Sequence, residues 1–101
     1  MPFKVYVLPQ ANKEIDRLPG YVRQRVRRAV IGLRDDPKPV AGVRLESDRG
    51  LGRELWRLRI DTWRVVYLID QEWGGIYVLA VRKRPPYQYE DLASLLTAVE
   101  Q

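Results

Sequence analysis

Arg57 and Arg59 stand two residues apart in the segment ELWRLRI, and Arg64 is the sole charged residue in the apolar run WRVVYLI that follows. Arg84 closes a third segment of similar character, GIYVLAVRKR. Side chains two apart on a β-strand leave the same face. Arg57 and Arg59 therefore share one face, and Trp56, Leu58 and Ile60 take the other, toward a core. A tight hairpin at Asp61-Thr62 brings Arg64 beside that first strand, and Arg84 ends the same sheet. Guanidinium groups gathered on one concave face repel one another unless an anion is expected there. Phosphate is the natural guest, because the planar fork bonds it bidentately.

The residue types that are missing narrow the chemistry further. The chain has no histidine and no cysteine. It has no imidazole general base, no Ser-His-Asp triad, no cysteine nucleophile, no thiolate zinc or iron–sulfur site and no disulfide. Chemistry must run on Arg, Lys, Tyr, Glu or Asp, and no metal or cofactor is expected. Lys and Arg number 18 against 13 acids, a net charge of +5. Residues 1–84 carry +8 and residues 85–101 carry −3. The basic surface thus belongs to the body of the fold, and it suits an anionic partner: nucleic acid, an acidic protein or a membrane surface. For Arg57 and Arg59 alone, the solvated side of a half-buried sheet is an equally good account. Arg64 resists that account, because Val66 and Leu68 on its own face are apolar. Arg23, Arg25, Arg27 and Arg28 fit the solvated face of a helix or a general electrostatic contact.

The elements that must hold these side chains follow from the period of the apolar pattern. Phe3, Val5 and Val7 alternate with Lys4, Tyr6 and Leu8, which predicts a short first strand. Pro9 suits a first helical position, and Ala11, Ile15 and Leu18 make one apolar face before Pro19-Gly20 ends the helix. Val22, Val26, Ala29, Val30 and Leu33 form an unbroken stripe on a second helix, ended by Asp35-Asp36-Pro37. Residues 37–53 read as loop, with a short strand near Val43–Glu46. Three strands then form an antiparallel meander, with turns at Asp61-Thr62 and Gln71–Gly75. After Pro85-Pro86, residues 90–99 read as a short helix. The expected fold is α+β. It is one domain over residues 1–101: a small twisted antiparallel sheet of about four strands, an N-terminal helical hairpin on one face and a short C-terminal helix. Trp56 and Trp63 are expected in the core. Trp73, in a turn beside Gly74, is expected to be exposed and available for stacking. Of Tyr87 and Tyr89, one is assigned to packing and the other to a functional hydroxyl. No apolar stretch approaches the roughly 20 residues of a spanning helix, and the start MPFKVYVLPQ lacks a signal-peptide core. A soluble, cytoplasmic protein without membrane attachment is expected.

These residues also carry a resemblance. ELWRLRIDTWRVVYLID followed by GIYVLAVRKRPPYQYED, preceded by a strand, KEIDRLP and a helix ending in DDP, resembles the RelE/ParE superfamily of bacterial toxin–antitoxin toxins. The resemblance covers nearly the whole chain and implies the fold just described. Its RelE branch consists of ribosome-dependent mRNA endonucleases, in which a ribose 2′-OH attacks the adjacent phosphate. The family's basic strand positions fall on Arg57 and Arg59, its next arginine on Arg64, and its later basic pair on Lys83 and Arg84. The family tyrosine falls on Tyr89 or Tyr87. The resemblance implies a catalytic set of Arg57, Arg59, Arg64, Lys83, Arg84 and Tyr89. Of the other side chains, Arg53, Arg82, Tyr87, Arg23 and Arg27 are the expected RNA contacts. Some RelE enzymes carry lysine at the two strand positions, where crowding by cations lets it act as base. Arginine cannot, which leaves Lys83, a tyrosine hydroxyl, Glu54 or Asp61 as the base. The ParE branch shares the fold but inhibits DNA gyrase without cleavage, and a degenerate toxin that only binds its partner is a third alternative. Either toxin branch implies a cognate antitoxin, an acidic segment of which would cover the arginine face. The RelE branch adds ribosome and mRNA as partners.

Overall fold

A computed structural model describes residues 3–48 and 52–83. The chain runs β1 (Lys4–Val7), α1 (Pro9–Asp16), α2 (Gly20–Gly32), β2 (Gly42–Asp48), β3 (Arg53–Ile60), β4 (Trp63–Asp70) and β5 (Gly75–Lys83). The strands make one sheet of five in the order β1-β5-β4-β3-β2. The expected α+β class and helical hairpin are present. The strand count is corrected from about four to five, and the sheet is not purely antiparallel: β1 pairs parallel with β5. That pairing joins residues some 70 positions apart, Lys4 with Gly75 through Val7 with Val78. Alternation within a strand says nothing about such a distant partner. The predicted helix over residues 90–99, and with it Arg84, Tyr87 and Tyr89, lies outside the described residues.

Both helices form where the apolar spacing puts them. Pro9 opens α1 with its fixed φ and missing N–H. Ala11 and Ile15 of α1, Leu18 in the turn after it, Val22, Val26 and Val30 of α2 and Leu33 at its C-terminal cap are buried against one face of the sheet. There they meet Leu58, Ile60, Val65, Tyr67, Ile69, Ile76, Val78 and Val81. Burying each such side chain contributes roughly 1.5–3 kcal/mol, so this layer carries the stability of the domain. An exposed ion pair, Arg27 to Asp16 at 2.8 Å, joins the two helices at the surface. Trp56 and Trp63 pack at the margin of the same core, as expected.

The opposite face of the sheet has its own smaller apolar cluster of Leu55, Val66, Leu68, Leu79 and Ala80. The middle of the meander is thus buried on both sides, as the continuous apolar runs in β4 and β5 foretell. Two irregularities adjust the ladder. One lies in β2 between Arg44 and Glu46, and the other lies opposite Val66 and Tyr67, where Leu79 is an extra residue in β5. The β3–β4 turn is the two residues Asp61-Thr62, with Asp61 at φ 59, a left-handed conformation that Asp tolerates better than most residues.

Candidate phosphate-binding face

The hairpin register decides where the arginines go. Arg59 lies directly opposite Arg64 across β3 and β4, and Arg64 lies directly opposite Arg82 across β4 and β5. Register partners project from the same face. Three arginines therefore stand in one row on three adjacent strands, within about 10 Å at the usual strand spacing. Arg57, two residues before Arg59 and opposite Val66, shares that face. This is the face away from the helices.

Within the row the three side chains differ. Arg64 is the buried member, 4% exposed, and is the sole buried charged residue among the described residues. Its Nη1 donates to the carbonyl of Trp63 at 3.3 Å. Arg59 is exposed, and its Nε donates to the carbonyl of Asp61 at 3.2 Å, folding it back over the turn. The carboxylate of Asp61 in turn faces Arg25 of α2 at 3.6 Å. Arg82 is held from the other side. One oxygen of Glu14 accepts the Val81 backbone N–H at 3.1 Å, and the second meets Arg82 Nε at 3.4 Å. Glu14 thereby satisfies a β5 amide beyond the end of β1 and anchors an arginine of the row.

The other sequence candidates are dispersed. Lys83 lies opposite Trp63, whose ring packs toward the helices, so alternation sends Lys83 to that side of the sheet and away from the row. Arg53 is on the arginine face but at the far end of β3, about 20 Å from Arg59, and is paired with Asp70 at 3.5 Å. Arg23 and Arg27 lie on α2, across the sheet from the row. Arg84, Tyr87 and Tyr89 are outside the described residues, and the structure brings together Arg57, Arg59, Arg64 and Arg82.

The candidate bases separate in the same way. Glu54 alternates with Leu55 and so projects to the helix side, where it is clasped by Lys38 at 3.1 Å, Arg44 at 3.5 Å and the Gln71 amide at 2.8 Å. Burial pushes its pKa up, but Lys38, Gln71 and Arg44 outweigh that and hold it below the usual carboxylate range. It is a structural anion and a poor proton acceptor. Tyr67 is fully buried and donates its hydroxyl to the Pro37 carbonyl at 2.8 Å. Burial, then the charge of Asp36, push its pKa far up. The Tyr77 hydroxyl is also pushed up, by burial first and then by Asp70 and Tyr6, against the opposing effect of Arg53. Glu14 meets the arginine row through its carboxylate, whereas Asp61 meets it through its backbone carbonyl and turns its carboxylate to Arg25. Glu14 was not singled out from the sequence. Its signal is there: it is three residues from Ala11 and four from Leu18, so it lies at the edge of the apolar stripe that faces the sheet.

A row of guanidinium groups, one of them desolvated, has the chemistry to hold an anion such as phosphate.

Comparison with known proteins identifies the family and the fold. Residues 5–85 match the family model of the ParE toxin of type II toxin–antitoxin systems, parDE. The chain belongs to that toxin family, within the RelE/ParE superfamily. Among solved structures, the toxin is similar to the archaeal RelE–RelB complex from Pyrococcus horikoshii OT3, with 23% identity, a TM-score of 0.77, and coverage of 86% of this chain and 100% of that one. It is similar to the RelBE2 toxin–antitoxin complex of Mycobacterium tuberculosis, with 24% identity, a TM-score of 0.67, and coverage of 83% and 100%. A double arginine-to-alanine variant of E. coli RelE in the free state aligns at 20% identity with a TM-score of 0.63, over 100% of both chains. Likeness at this level of identity establishes the fold. No curated protein matches the toxin's sequence. Among the described residues, no helix is long and apolar enough to cross a membrane.

Proposed function

We propose that this toxin is a RelE-type, metal-independent endoribonuclease that cuts mRNA on the ribosome and so stops translation. The observation that carries this reading is the in-register row Arg59–Arg64–Arg82 with Arg57 beside it and Arg64 buried at its centre. In the proposed reaction the ribose 2′-OH attacks the adjacent phosphorus, the bond to the 5′-oxygen breaks, and the phosphorane between them carries extra negative charge. Arg59 and Arg64 are assigned to that charge, and one such preorganised donor contributes about 3–4 kcal/mol to a transition state. The 2′-OH proton passes to a group other than these arginines, which do not deprotonate, and the departing 5′-oxygen takes up a proton, leaving a 2′,3′-cyclic phosphate and a 5′-hydroxyl end. Arg84 and Tyr89 remain in the proposed catalytic set on the resemblance alone, and Lys83, on the helix side of the sheet, is not part of it. The solved RelE–RelB complexes support a cognate antitoxin as partner. In the proposed reading, acidic side chains of that partner cover the arginine face.

The family model favours a second reading. The matching model is that of ParE toxins, which is consistent with an inhibitor of DNA gyrase that cleaves nothing. Brief induction in growing cells, with labelled methionine and thymidine followed in parallel, separates the two. Early loss of protein synthesis, with mRNA cut within translated codons and Arg64→Ala abolishing both, supports the ribonuclease. Early loss of DNA synthesis with mRNA intact refutes it.

A further inference from the structure

At the opposite end of the arginine face, three aromatic rings lie together. Tyr6 and Tyr77 are register partners across β1 and β5, with ring centroids 5.6 Å apart and planes 20° from parallel. Trp73, from the β4–β5 turn, lies 5.5 Å from Tyr6 and 5.9 Å from Tyr77, its plane 16° from that of Tyr77. The turn is built to put the indole there. Asp70 accepts the Trp73 N–H at 3.1 Å through its carboxylate and the Gly74 N–H at 2.9 Å through its carbonyl. Gly74 takes φ 77, and the indole occupies the space where a Cβ on Gly75 would stand. Despite this support the rings are not core. Trp73 is 55% exposed and Tyr6 is 41% exposed. A contiguous exposed aromatic group is unusual on a monomer surface and marks a site of interaction.

We infer that Tyr6, Trp73 and Tyr77 form a base-stacking platform for the single-stranded RNA that the arginine row engages. The inference rests on the ribonuclease reading and extends it. Three observations select RNA as the occupant. The near-parallel rings present stacking surfaces, which bind bases of any sequence. Tyr77 is on the same face as the row, separated from it by Leu68 to Arg64, about 13 Å of strand, or a few nucleotides of single strand. Lys4 shares the Tyr6 face of β1, and Arg53 answers the nearby Asp70, leaving Glu72 as the remaining acid of the turn. On a chain of net charge +5, an exposed aromatic cluster on the same sheet face as a guanidinium row is the pairing that single-stranded nucleic acids require.

The test uses the full chain, a six-nucleotide single-stranded RNA and an abasic oligonucleotide of the same length and charge. The wild type should bind the RNA more tightly than the abasic strand, and the RNA should quench tryptophan emission. Trp73→Ala should weaken RNA binding about tenfold, abolish the quench and leave abasic binding unchanged. Tyr6→Leu keeps apolar bulk in the cluster and should show the same selective loss, so a folding defect in one variant cannot mimic the result. In ribosomal cleavage both variants should raise KM and leave kcat near that of the wild type. Equal affinity of the wild type for RNA and abasic strand overturns the inference. So does unaltered RNA binding by Trp73→Ala, or a loss of antitoxin binding in its place. Arg64→Ala, assayed in parallel, isolates the other failure: full cleavage by that variant refutes the ribonuclease reading whatever the platform does.

Discussion

Replacing Tyr67 with Phe removes a single hydroxyl from the middle of β4. The ring is fully buried, and its hydroxyl ties the loop after α2 to the sheet through the 2.8 Å bond to the Pro37 carbonyl. Pro37 is half-buried, so its carbonyl turns to water once the partner is gone. The loss is then the net value of one hydrogen bond, about 1 kcal/mol, rather than the roughly 3 kcal/mol of a sealed orphan. For a domain near 100 residues this lowers Tm by about 4–8 °C. The pH dependence gives a sharper test. Burial, with Asp36 nearby, raises the folded pKa well above the ordinary value of about 10. As pH rises, the unfolded chain therefore releases this proton first. The stabilising contribution is complete below about pH 10 and is lost as pH climbs toward the folded value, by about 1.4 kcal/mol at pH 11. Tyr67→Phe lacks this term, and all other titrations cancel in the difference. Wild type should be the more stable protein at neutral pH, and the two stability curves should cross between about pH 10 and 11. Urea unfolding followed by tryptophan emission measures both curves. A difference that stays constant up to about pH 11 refutes the argument, because it means that the hydroxyl ionises as easily in the folded core as in water.

Glu54→Gln should destabilise the toxin at neutral pH by weakening the clasp with Lys38, Arg44 and Gln71. Because the folded pKa is lowered, that stability is present above the ordinary carboxylate value and lost as pH falls through the folded one, so denaturation curves of variant and wild type should converge below about pH 4. Gly52→Ala forces a side chain into φ +65 against the Glu72 side chain and should cost about 1–2 kcal/mol in thermal melting, with Gly52→Asn closer to wild type. Glu14→Ala strips the acceptor from the Val81 N–H and the anchor from Arg82, and should cost about 1–3 kcal/mol in urea titration. Hydrogen exchange at the Val81 amide should quicken in that variant and stay slow in Glu14→Gln, whose carbonyl still accepts.

Much of the scaffold was legible because one-sided burial writes a period into the chain. The stripe Val22, Val26, Val30 and Leu33 and the alternation of Trp56, Leu58 and Ile60 with Arg57 and Arg59 each identify an element and its buried side. The short Asp61-Thr62 turn fixes register, which is why the pairing of Arg59 with Arg64 could be anticipated. Two kinds of feature left no such mark. The parallel pairing of β1 with β5 joins distant segments of similar apolar composition, and the β2 edge, with its exposed Val43 and Arg44, has little alternation to read. Glu14 was hidden because a glutamate on a helix reads as a solvated residue unless its position relative to the stripe is weighed.

The arrangement of β5 follows from one bulged residue. Tyr67 pairs with Val78, and Val66 pairs with Ala80, so Leu79 is accommodated as a bulge. Were Leu79 instead paired in its turn with Val66, the ladder from Tyr67–Val78 would continue in phase, placing Val81 opposite Arg64 and Arg82 opposite Trp63. Arg82 would then project toward the helices, into the apolar layer beside Trp63, and Val81 would take its place in the row. The bulge reverses this. Val78 and Val81 both enter the helix-side core, Leu79 and Ala80 both join the cluster on the other face, and Arg82 emerges beside Arg64. It also sends Lys83 to the helix side, which is why a lysine adjacent in sequence to the row is not adjacent in space. The Val81 amide, just past the bulge and beyond the end of β1, finds its acceptor in Glu14, and the same carboxylate fixes Arg82. Leaving Leu79 unpaired thus makes Arg82, and not Val81, the third member of the row, and the helix that covers the end of the strand supplies the group that holds it there.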